Sequence, residues 1–502
     1  MTDQTTYDLL IIGGGVNGTG IARDAAGRGL KVLLVEKDDL AQHTSSASTK
    51  LIHGGLRYLE YYEFRLVREA LQERERLLGL APHIIHPLVF VLPHRNAVRP
   101  AWMIRMGLFM YDHLACHPKL PNSKLIALQQ SPYGKALRND IKKGFTYSDC
   151  AVDDSRLTIL NAKGAHHLGA EIRTQTTLLT TKREGGFWTA TLQDNRMQTT
   201  STIKAKAIVN AAGPWVADIL KERLHVHSKM NVRLVKGSHI VVKKLFEGPQ
   251  AYILQNEDKR IVFAIPYHDE FTLIGTTDIP WDKSPNALPS IDGNETSYLC
   301  NSINNYFKTS ITPEDVIWDY SGVRPLYDDA SSNASAVTRD YHLDLNHDAG
   351  LAPLLSIFGG KITTYRRLAE HSMEQLSPYF KYSRKAWTDS EPLPGGNITN
   401  GDFNLFYNNF RKTVPFLDEA TAKRIAHGYG TDAFVLLNKA TSKEELGIDF
   451  GHGLTQREVD YLVEHEWAIT AEDILWRRTK LGLYFSKEEQ STLERYLQDK
   501  NQ

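Results

Sequence analysis

Residues 7–36 read YDLLIIGGGVNGTGIARDAAGRGLKVLLVE, and the fold follows from them. Residues 7–12 form an apolar run rich in Leu and Ile, which suits a strand buried inside a parallel sheet. Gly13, Gly15 and Gly18 come next, in G-x-G-x-x-G spacing. A helical pattern continues through Ala22, Ala25 and Ala26, with Gly29 where the helix has to end. Residues 31–35 (KVLLV) give a second strand that stops at Glu36. The glycines have separate tasks: Gly13 makes the tight turn, Gly15 lets the backbone approach a pyrophosphate, and Gly18 lets the helix pack on the strand. The helix N-terminus offers N–H groups and partial positive charge to a diphosphate. Glu36 stands 18 residues beyond Gly18, placed to accept from a ribose hydroxyl. The glycine pattern alone is weak. With strand, helix, second strand and acid in register, it predicts a dinucleotide-binding unit.

Outward from this unit, the 502 residues suffice for about three domains at ~150 residues each. Lys and Arg number 59, as do Asp and Glu, so the formal net charge is zero. A nucleic-acid binder needs a broad basic face, so nucleic acid is not expected as a partner. The three cysteines, Cys116, Cys150 and Cys300, are odd in number and widely spaced, with no C-x-x-C. That argues against a disulfide framework, a metal site or an iron–sulfur cluster, and for reduced thiols in the cytosol. No apolar stretch reaches the ~18 residues of a spanning helix. The N-terminal residues lack the basic region and apolar core of a signal peptide.

No second G-x-G-x-x-G occurs, which leaves a nicotinamide dehydrogenase or a flavoprotein with one dinucleotide. Three further segments favour flavin. Residues 43–58 (HTSSASTKLIHGGLRY) combine small hydroxyl residues with Gly54 and Gly55, a composition that allows close approach of a ligand. Residues 206–215 (KAIVNAAGPW) end a strand on small residues, with Gly213 for a sharp turn. Residues 354–368 (LLSIFGGKITTYRRL) end another strand at Gly359-Gly360, before Lys361 and Thr363 open a helix. Gly359-Gly360-Lys361 is not a phosphate loop, because Leu355 stands where a glycine is required and Ile362 follows the lysine. G-x-S-x-G is absent, so a hydrolase nucleophile is missing.

These runs, together with KGSHIVV (236–242), GTTD (275–278) and SGVRPL (321–326), resemble FAD-dependent glycerol-3-phosphate dehydrogenases, above all the aerobic bacterial members. The similarity extends from residue 7 to beyond residue 480, without the EF-hand loop of the calcium-regulated mitochondrial form. It implies an α/β fold in three parts. A discontinuous, Rossmann-like FAD-binding domain would comprise 1–80, 145–215 and 345–385. An antiparallel β-sheet substrate domain would comprise 81–144 and 216–344. A C-terminal helical domain would span 390–502, joined through a linker at 392–396 (PLPGG).

The resemblance implies oxidation of sn-glycerol 3-phosphate to dihydroxyacetone phosphate, with FAD bound non-covalently. His239 is the expected base, since an imidazole with a pKa near 6.5 accepts a proton at cellular pH. Arg324 and Lys361 complete the expected catalytic set, Lys361 also balancing negative charge on the flavin. Arg57, Tyr58 and Arg339 are the expected substrate contacts, because Arg binds phosphate through paired donors. Asp340 competes for Arg339. The expected FAD contacts, besides Gly13, Gly15, Gly18 and Glu36, are Thr44, Ser45, Ser48, Lys50, His53, Gly54, Gly213, Gly359, Gly360, Thr363 and Thr364. His43 is expected near the isoalloxazine edge or exposed.

With no nicotinamide unit, electrons must leave by another route. The family implies ubiquinone or menaquinone, a homodimer, and peripheral contact with lipid at the cytoplasmic face of the membrane. Two basic, apolar segments suit an interface: Arg99 to Leu114 and Ile474 to Phe485. The second is expected to pack inside. Alternative readings are an oxidase that makes hydrogen peroxide, an amino-acid oxidase on the same fold, and a catalytically silent flavoprotein.

Overall fold

A computed structural model of the chain describes residues 5–95, 99–114, 119–328, 340–347 and 350–501. Cys116 and Arg339 lie outside the described residues. Leu9, Leu10 and Ile11 are fully buried on both faces of the strand Thr6–Ile12, because it has a parallel neighbour on each side. Those neighbours are Thr199–Asn210 and Val32–Val35. Leu354–Gly359 adds in parallel beyond the first of them, and Glu171–Arg173 beyond the second. Tyr341–Asn346 closes one edge antiparallel, and the hairpin Thr176–Glu184 and Phe187–Asp194 extends from Thr199–Asn210. This is the predicted Rossmann-like sheet.

The helix Val16–Gly27 covers one face of that sheet, between the helices Asp154–His167 and Tyr365–Leu376. Ala22 and Ala25 are fully buried there, and their small side chains permit the close packing. The helix ends at Gly27, and Gly29 turns the chain with φ +87°. Gly18 meets the backbone directly: a Cβ on it would lie 2.0 Å from the Gly13 carbonyl oxygen.

The second sheet is built around Val232–Lys243. Val316–Tyr327 runs antiparallel along its length, placing Tyr320 opposite His239 and Arg324 opposite Val235. On the other edge come Ile279–Pro280 and Phe271–Gly275, then Ile261–Tyr267, Ala251–Gln255, Ile85–His94, Lys143–Val152 and Leu51–Ile52. The pairing is antiparallel except between Ala251–Gln255 and Ile85–His94, which run parallel. Lys143–Val152 and Leu51–Ile52 stand in this sheet, whereas the sequence reading gave 1–80 and 145–215 to the FAD-binding part. The cause is local. Lys143–Val152 presents Phe145 and Tyr147 to the core of the second sheet, so it pairs where that core is.

Five α-helices form the C-terminal region: Phe403–Thr413, Glu419–Tyr429, Ala433–Leu437, Gln456–Glu466 and Lys487–Asn501. They enclose their own core around Phe410, Ile425, Leu454, Leu462 and Leu493. The predicted linker 392–396 is a packed segment. The Leu393 N–H donates to the Leu80 carbonyl, and a Cβ on Gly395 would stand 2.1 Å from the Tyr429 carbonyl oxygen. Residues 474–485 are also packed inward, with Ile474, Leu475 and Leu481 buried.

Because Gly18 faces backbone rather than a movable side chain, Gly18→Ala is expected to cost about 1–3 kcal/mol, the usual range for an overfilled site. Thermal denaturation of the apoprotein should show a lower midpoint. An unchanged midpoint would mean the helix is not held against the glycine turn.

Candidate active site

Three strands of the first sheet, Thr6–Ile12, Thr199–Asn210 and Leu354–Gly359, end on the same side because they are parallel. Each ends in a glycine turn, and a cavity of about 510 Å³ opens between those turns and the second sheet. Ligands of open α/β sheets bind at this position, beyond the carboxyl ends of the strands. Gly13 (φ +112°), Gly213 (φ +56°), Gly359 (φ +76°) and Gly360 (φ +102°) adopt backbone conformations that disfavour a side chain, and all four line the cavity.

The cradle at the first turn suits a diphosphate. Gly15 caps the helix Val16–Gly27 without a side chain across its end, so the N-terminal N–H groups face the cavity. A Cβ on Gly13 would stand 2.5 Å from the Ala211 carbonyl oxygen, and one on Gly15 would stand 3.0 Å from Ser45 Oγ. Ser45 Oγ accepts the Val16 N–H at 3.0 Å, tying the hydroxyl-rich loop to the helix. Glu36 accepts the Gly14 N–H at 2.6 Å and the Asp38 N–H at 2.9 Å. Burial raises its carboxyl above the ordinary range, and those two N–H groups pull it back toward the charged form. Asn17 Nδ2 donates to the Gly359 carbonyl at 3.3 Å, while its buried Oδ1 accepts from no donor among the described residues. A buried, unsatisfied acceptor beside a glycine cradle is what a bound dinucleotide would complete.

The far end of the cavity carries the candidate chemistry. His239 lies on Val232–Lys243, 1% exposed, stacked on Tyr320 with ring centroids 4.7 Å apart. Its Nε2 is 3.0 Å from Thr49 Oγ1, and its Nδ1 is buried without a hydrogen-bond partner. Burial, then the charges of Arg324 and Lys50, hold its pKa well below 6.5. Lys361 Nζ sits 3.8 Å from the Tyr58 ring centroid, a cation–π contact. Tyr58 reaches there by folding over Gly55, where a Cβ would come within 2.4 Å of its ring. Arg57 lies beside them, with Nη2 3.3 Å from Tyr61 Oη. Arg324 is anchored through its Nη1 to Asp278 at 2.5 Å, and its Nη2 donates to Thr276 Oγ1 and the Thr277 carbonyl at 2.9 Å each. His53 is partly buried, and desolvation together with the charge of Lys361 lowers its pKa to about 3.

The structure thus brings together His239, Arg324, Lys361, Arg57, Tyr58, Glu36, Gly13, Gly15, Thr44, Ser45, Ser48, His53, Gly213, Gly359, Gly360 and Thr363 around one cavity. Four expected FAD contacts stand apart from it. Gly18 packs behind the turn. Lys50 Nζ donates to Asp154 at 2.8 Å and to the Ser46 carbonyl, as a buried ammonium requires a counter-charge. Gly54 gives its N–H to Tyr111 Oη at 2.9 Å. Thr364 is buried at the start of the helix Tyr365–Leu376. Arg366, near the same helix start, pairs with Glu73 on Phe64–Leu80 at 2.6 Å. His43 lines the cavity, its ring 4.6 Å from Trp215 and its Nε2 2.8 Å from Asp38. Sequence reasoning missed Thr49, Asp278 and Trp215. All three lie inside quoted motifs, but nothing in a motif states which side chain will support a neighbour.

A diphosphate cradle at parallel strand ends, facing a second sheet that carries a buried histidine among cations, defines an FAD-dependent oxidoreductase. Residues 8–366 match the model of that family, FAD dependent oxidoreductase, and residues 386–498 match the C-terminal domain of alpha-glycerophosphate oxidase. Within it, the chain belongs to the glycerol-3-phosphate dehydrogenase family, and FAD is its cofactor. It is 51% identical over 492 residues to the aerobic glycerol-3-phosphate dehydrogenase of Escherichia coli (strain K12), covering 98% of this chain and 97% of that protein. It is 50% identical over 501 residues to the D-erythritol 1-phosphate dehydrogenase of Brucella abortus (strain 2308), covering 100% and 99%. The X-ray structure of the glycerol-3-phosphate dehydrogenase from Bacillus halodurans complexed with FAD aligns with a TM-score of 0.75 at 27% identity, over 99% of this chain and 95% of that one.

Glu36 is the one carboxylate of the cradle that braces the glycine turn. Glu36→Gln replaces an anionic acceptor with an amide, at about 1.5–3 kcal/mol for a charged hydrogen bond. FAD titration of the apoprotein should give affinity weakened by ~10- to 100-fold. Unchanged affinity would remove Glu36 from the binding set.

Proposed function

We propose that this chain oxidises sn-glycerol 3-phosphate to dihydroxyacetone phosphate and passes the electrons to a membrane quinone, ubiquinone or menaquinone. The observation that carries the reading is His239 Nδ1, buried and without a partner, in a cavity where Arg57, Arg324 and Lys361 supply positive charge. FAD, held non-covalently, supplies the two-electron acceptor when bound. The residues do the rest. In this reading Thr49 Oγ1 accepts a hydrogen bond from the His239 Nε2–H, so Nδ1 keeps its lone pair and takes the C2 hydroxyl proton as the C2 hydride leaves. The alcohol carbon becomes a ketone. Arg57, Arg324 and Lys361 bind the phosphate; Arg339, also expected to do so from the sequence, lies outside the described residues. Tyr58 orients the substrate.

The same charges explain selectivity for a phosphorylated polyol. Arg324 and Lys50 oppose a proton on His239, and a dianionic phosphate cancels part of that opposition. Glycerol itself lacks the dianion and leaves the base weak.

Anaerobic addition of sn-glycerol 3-phosphate to the yellow holoprotein tests the reading. Bleaching of the flavin band, reversed by a soluble quinone, is the expected result. Erythritol 1-phosphate belongs in the same experiment, given the relative named for it. Faster bleaching with the four-carbon phosphate would reassign the substrate, bleaching by an amino acid alone would reassign the reaction, and peroxide matching turnover in air would make the protein an oxidase. His239→Gln is expected to lower kcat by ~10²–10⁴, the usual share of a general base. Because the His239 pKa lies below 6.5 in the folded protein, its base form persists as pH falls. The acid limb of kcat/KM should therefore lie below pH ~6.5; a limb centred above that value would exclude this histidine as the base.

The helix Ala101–Leu114 supports the proposal of lipid contact. Trp102 is 64% exposed, Met106 50% and Phe109 53%, with Tyr61, Tyr62 and Phe64 exposed beside them. Arg99 and Arg105 flank this face, Arg99 through a 2.5 Å pair with Glu60. Among the described residues no helix is long and apolar enough to cross a membrane. The proposed arrangement is a homodimer resting on the cytoplasmic face, with this helix in the interface region. Trp102→Ser with Phe109→Ser should reduce sedimentation with anionic liposomes several-fold while leaving flavin bleaching intact. Undiminished sedimentation would place the contact elsewhere.

A further inference from the structure

The loop that follows Glu36 is tied to the C-terminal helical region through one carboxylate, Asp39. Asp39 is 2% exposed and meets two successive arginines. Arg477 Nε donates to Asp39 Oδ2 at 2.6 Å, Arg478 Nη2 donates to Oδ1 at 2.8 Å, and Arg478 Nη1 also reaches Oδ2. Both guanidiniums are buried. Successive residues of an α-helix point in different directions, yet these two converge. The segment Asp473–Arg478 that carries them is a π-helix, a widened turn that is rare and recurs at functional positions. Each arginine is held in turn: Arg477 by Asp473 and Glu472, Arg478 by the Glu466 carbonyl.

The other end of the connection is the FAD cradle. The Asp39 backbone is held by Gln42, its N–H donating to the side-chain Gln42 Oε1 and its carbonyl accepting the Gln42 N–H. Ala41 donates its N–H to the Gly14 carbonyl, and Asp38 donates its N–H to Glu36. Ala41 holds φ +62°, a conformation a non-glycine residue adopts only when its surroundings require it. Lys37, Ala41, Gln42 and His43 all line the cavity. The segment from Glu36 to His43 is therefore fixed at one end by the glycine turn and in its middle by Asp39.

We propose that Arg477 and Arg478 are positioning residues for FAD: through Asp39 they hold the cradle loop closed, so the C-terminal region governs how tightly the cofactor is retained. The inference rests on Glu36 and its loop contacting FAD. Arg478→Gln leaves Asp39 paired to Arg477, so the buried charge keeps a partner. In the holoprotein this variant should release FAD at least tenfold faster, followed as rising free-flavin fluorescence after dilution. Activity with sn-glycerol 3-phosphate should recover on adding excess FAD. Arg478→Lys keeps the charge but not the paired donors, so its release rate should fall between those of the parent and Arg478→Gln. It carries the test should Arg478→Gln fail to fold.

Asp432→Asn is the control. It breaks a second bond between the two regions, Lys163 Nζ to Asp432 at 2.7 Å, away from the cradle loop. Its FAD release should stay within twofold of the parent. Parental release in Arg478→Gln would overturn the proposal, as would equal acceleration by Asp432→Asn, which would make the effect general loosening. Release unchanged in Glu36→Gln but accelerated in Arg478→Gln would fault the role given to Glu36 and leave the clamp standing.

Discussion

The contact between Gly18 and the Gly13 carbonyl is the constraint from which the rest of the site follows. It sets the helix Val16–Gly27 so near its strand that the helix N-terminus opens directly onto the strand ends. Only then can Glu36, one strand away, reach back to the Gly14 N–H. Only then can Asn17 reach the third glycine turn at Gly359. A side chain at position 18 would separate these pieces, and no other residue could bring them back. The dipole of the helix and the parallel order of the strands point the same way, so the anion site costs little further arrangement.

The second sheet supplies what the first cannot. The first sheet's helix Val16–Gly27 presents backbone N–H groups at its N-terminus, but a base and cations must come from side chains that face them. The paired strands Val232–Lys243 and Val316–Tyr327 carry His239, the base of the proposed reaction, and Arg324, four positions apart in register and held by Thr49 and Asp278. Burial first, and then the charges of Arg324 and Lys50, disfavour a proton on His239.

The parts legible in the sequence are those whose physics is local. Gly13, Gly15, Gly18 and Glu36 declare themselves by spacing, since each acts on backbone within one strand–helix–strand unit. Continuous apolar runs gave the buried strands of the first sheet. Resemblance, rather than pattern, singled out His239, Arg324 and Lys361 from the other histidines and cations. What stayed hidden depends on partners distant in the chain. Lys50 looked like a ligand residue until Asp154, 104 positions on, took its charge. Thr49 lies 190 positions from His239, and Asp39 lies 439 from Arg478. No periodicity reports such pairs. The segment 392–396 reads as a linker by composition, yet its glycines serve close packing against Leu80 and Tyr429.

The exposed face of Ala101–Leu114 has a colloidal consequence. The chain has no net formal charge at pH 7, so its molecules repel one another weakly there. With Trp102, Met106 and Phe109 uncovered in lipid-free buffer, apolar surface is available for mutual contact. Near neutrality the protein's solubility rests on the thickness of its hydration layer and on added salt or amphiphile rather than on charge. A buffer one or two pH units from neutrality restores repulsion between molecules without altering the face that lipid would cover.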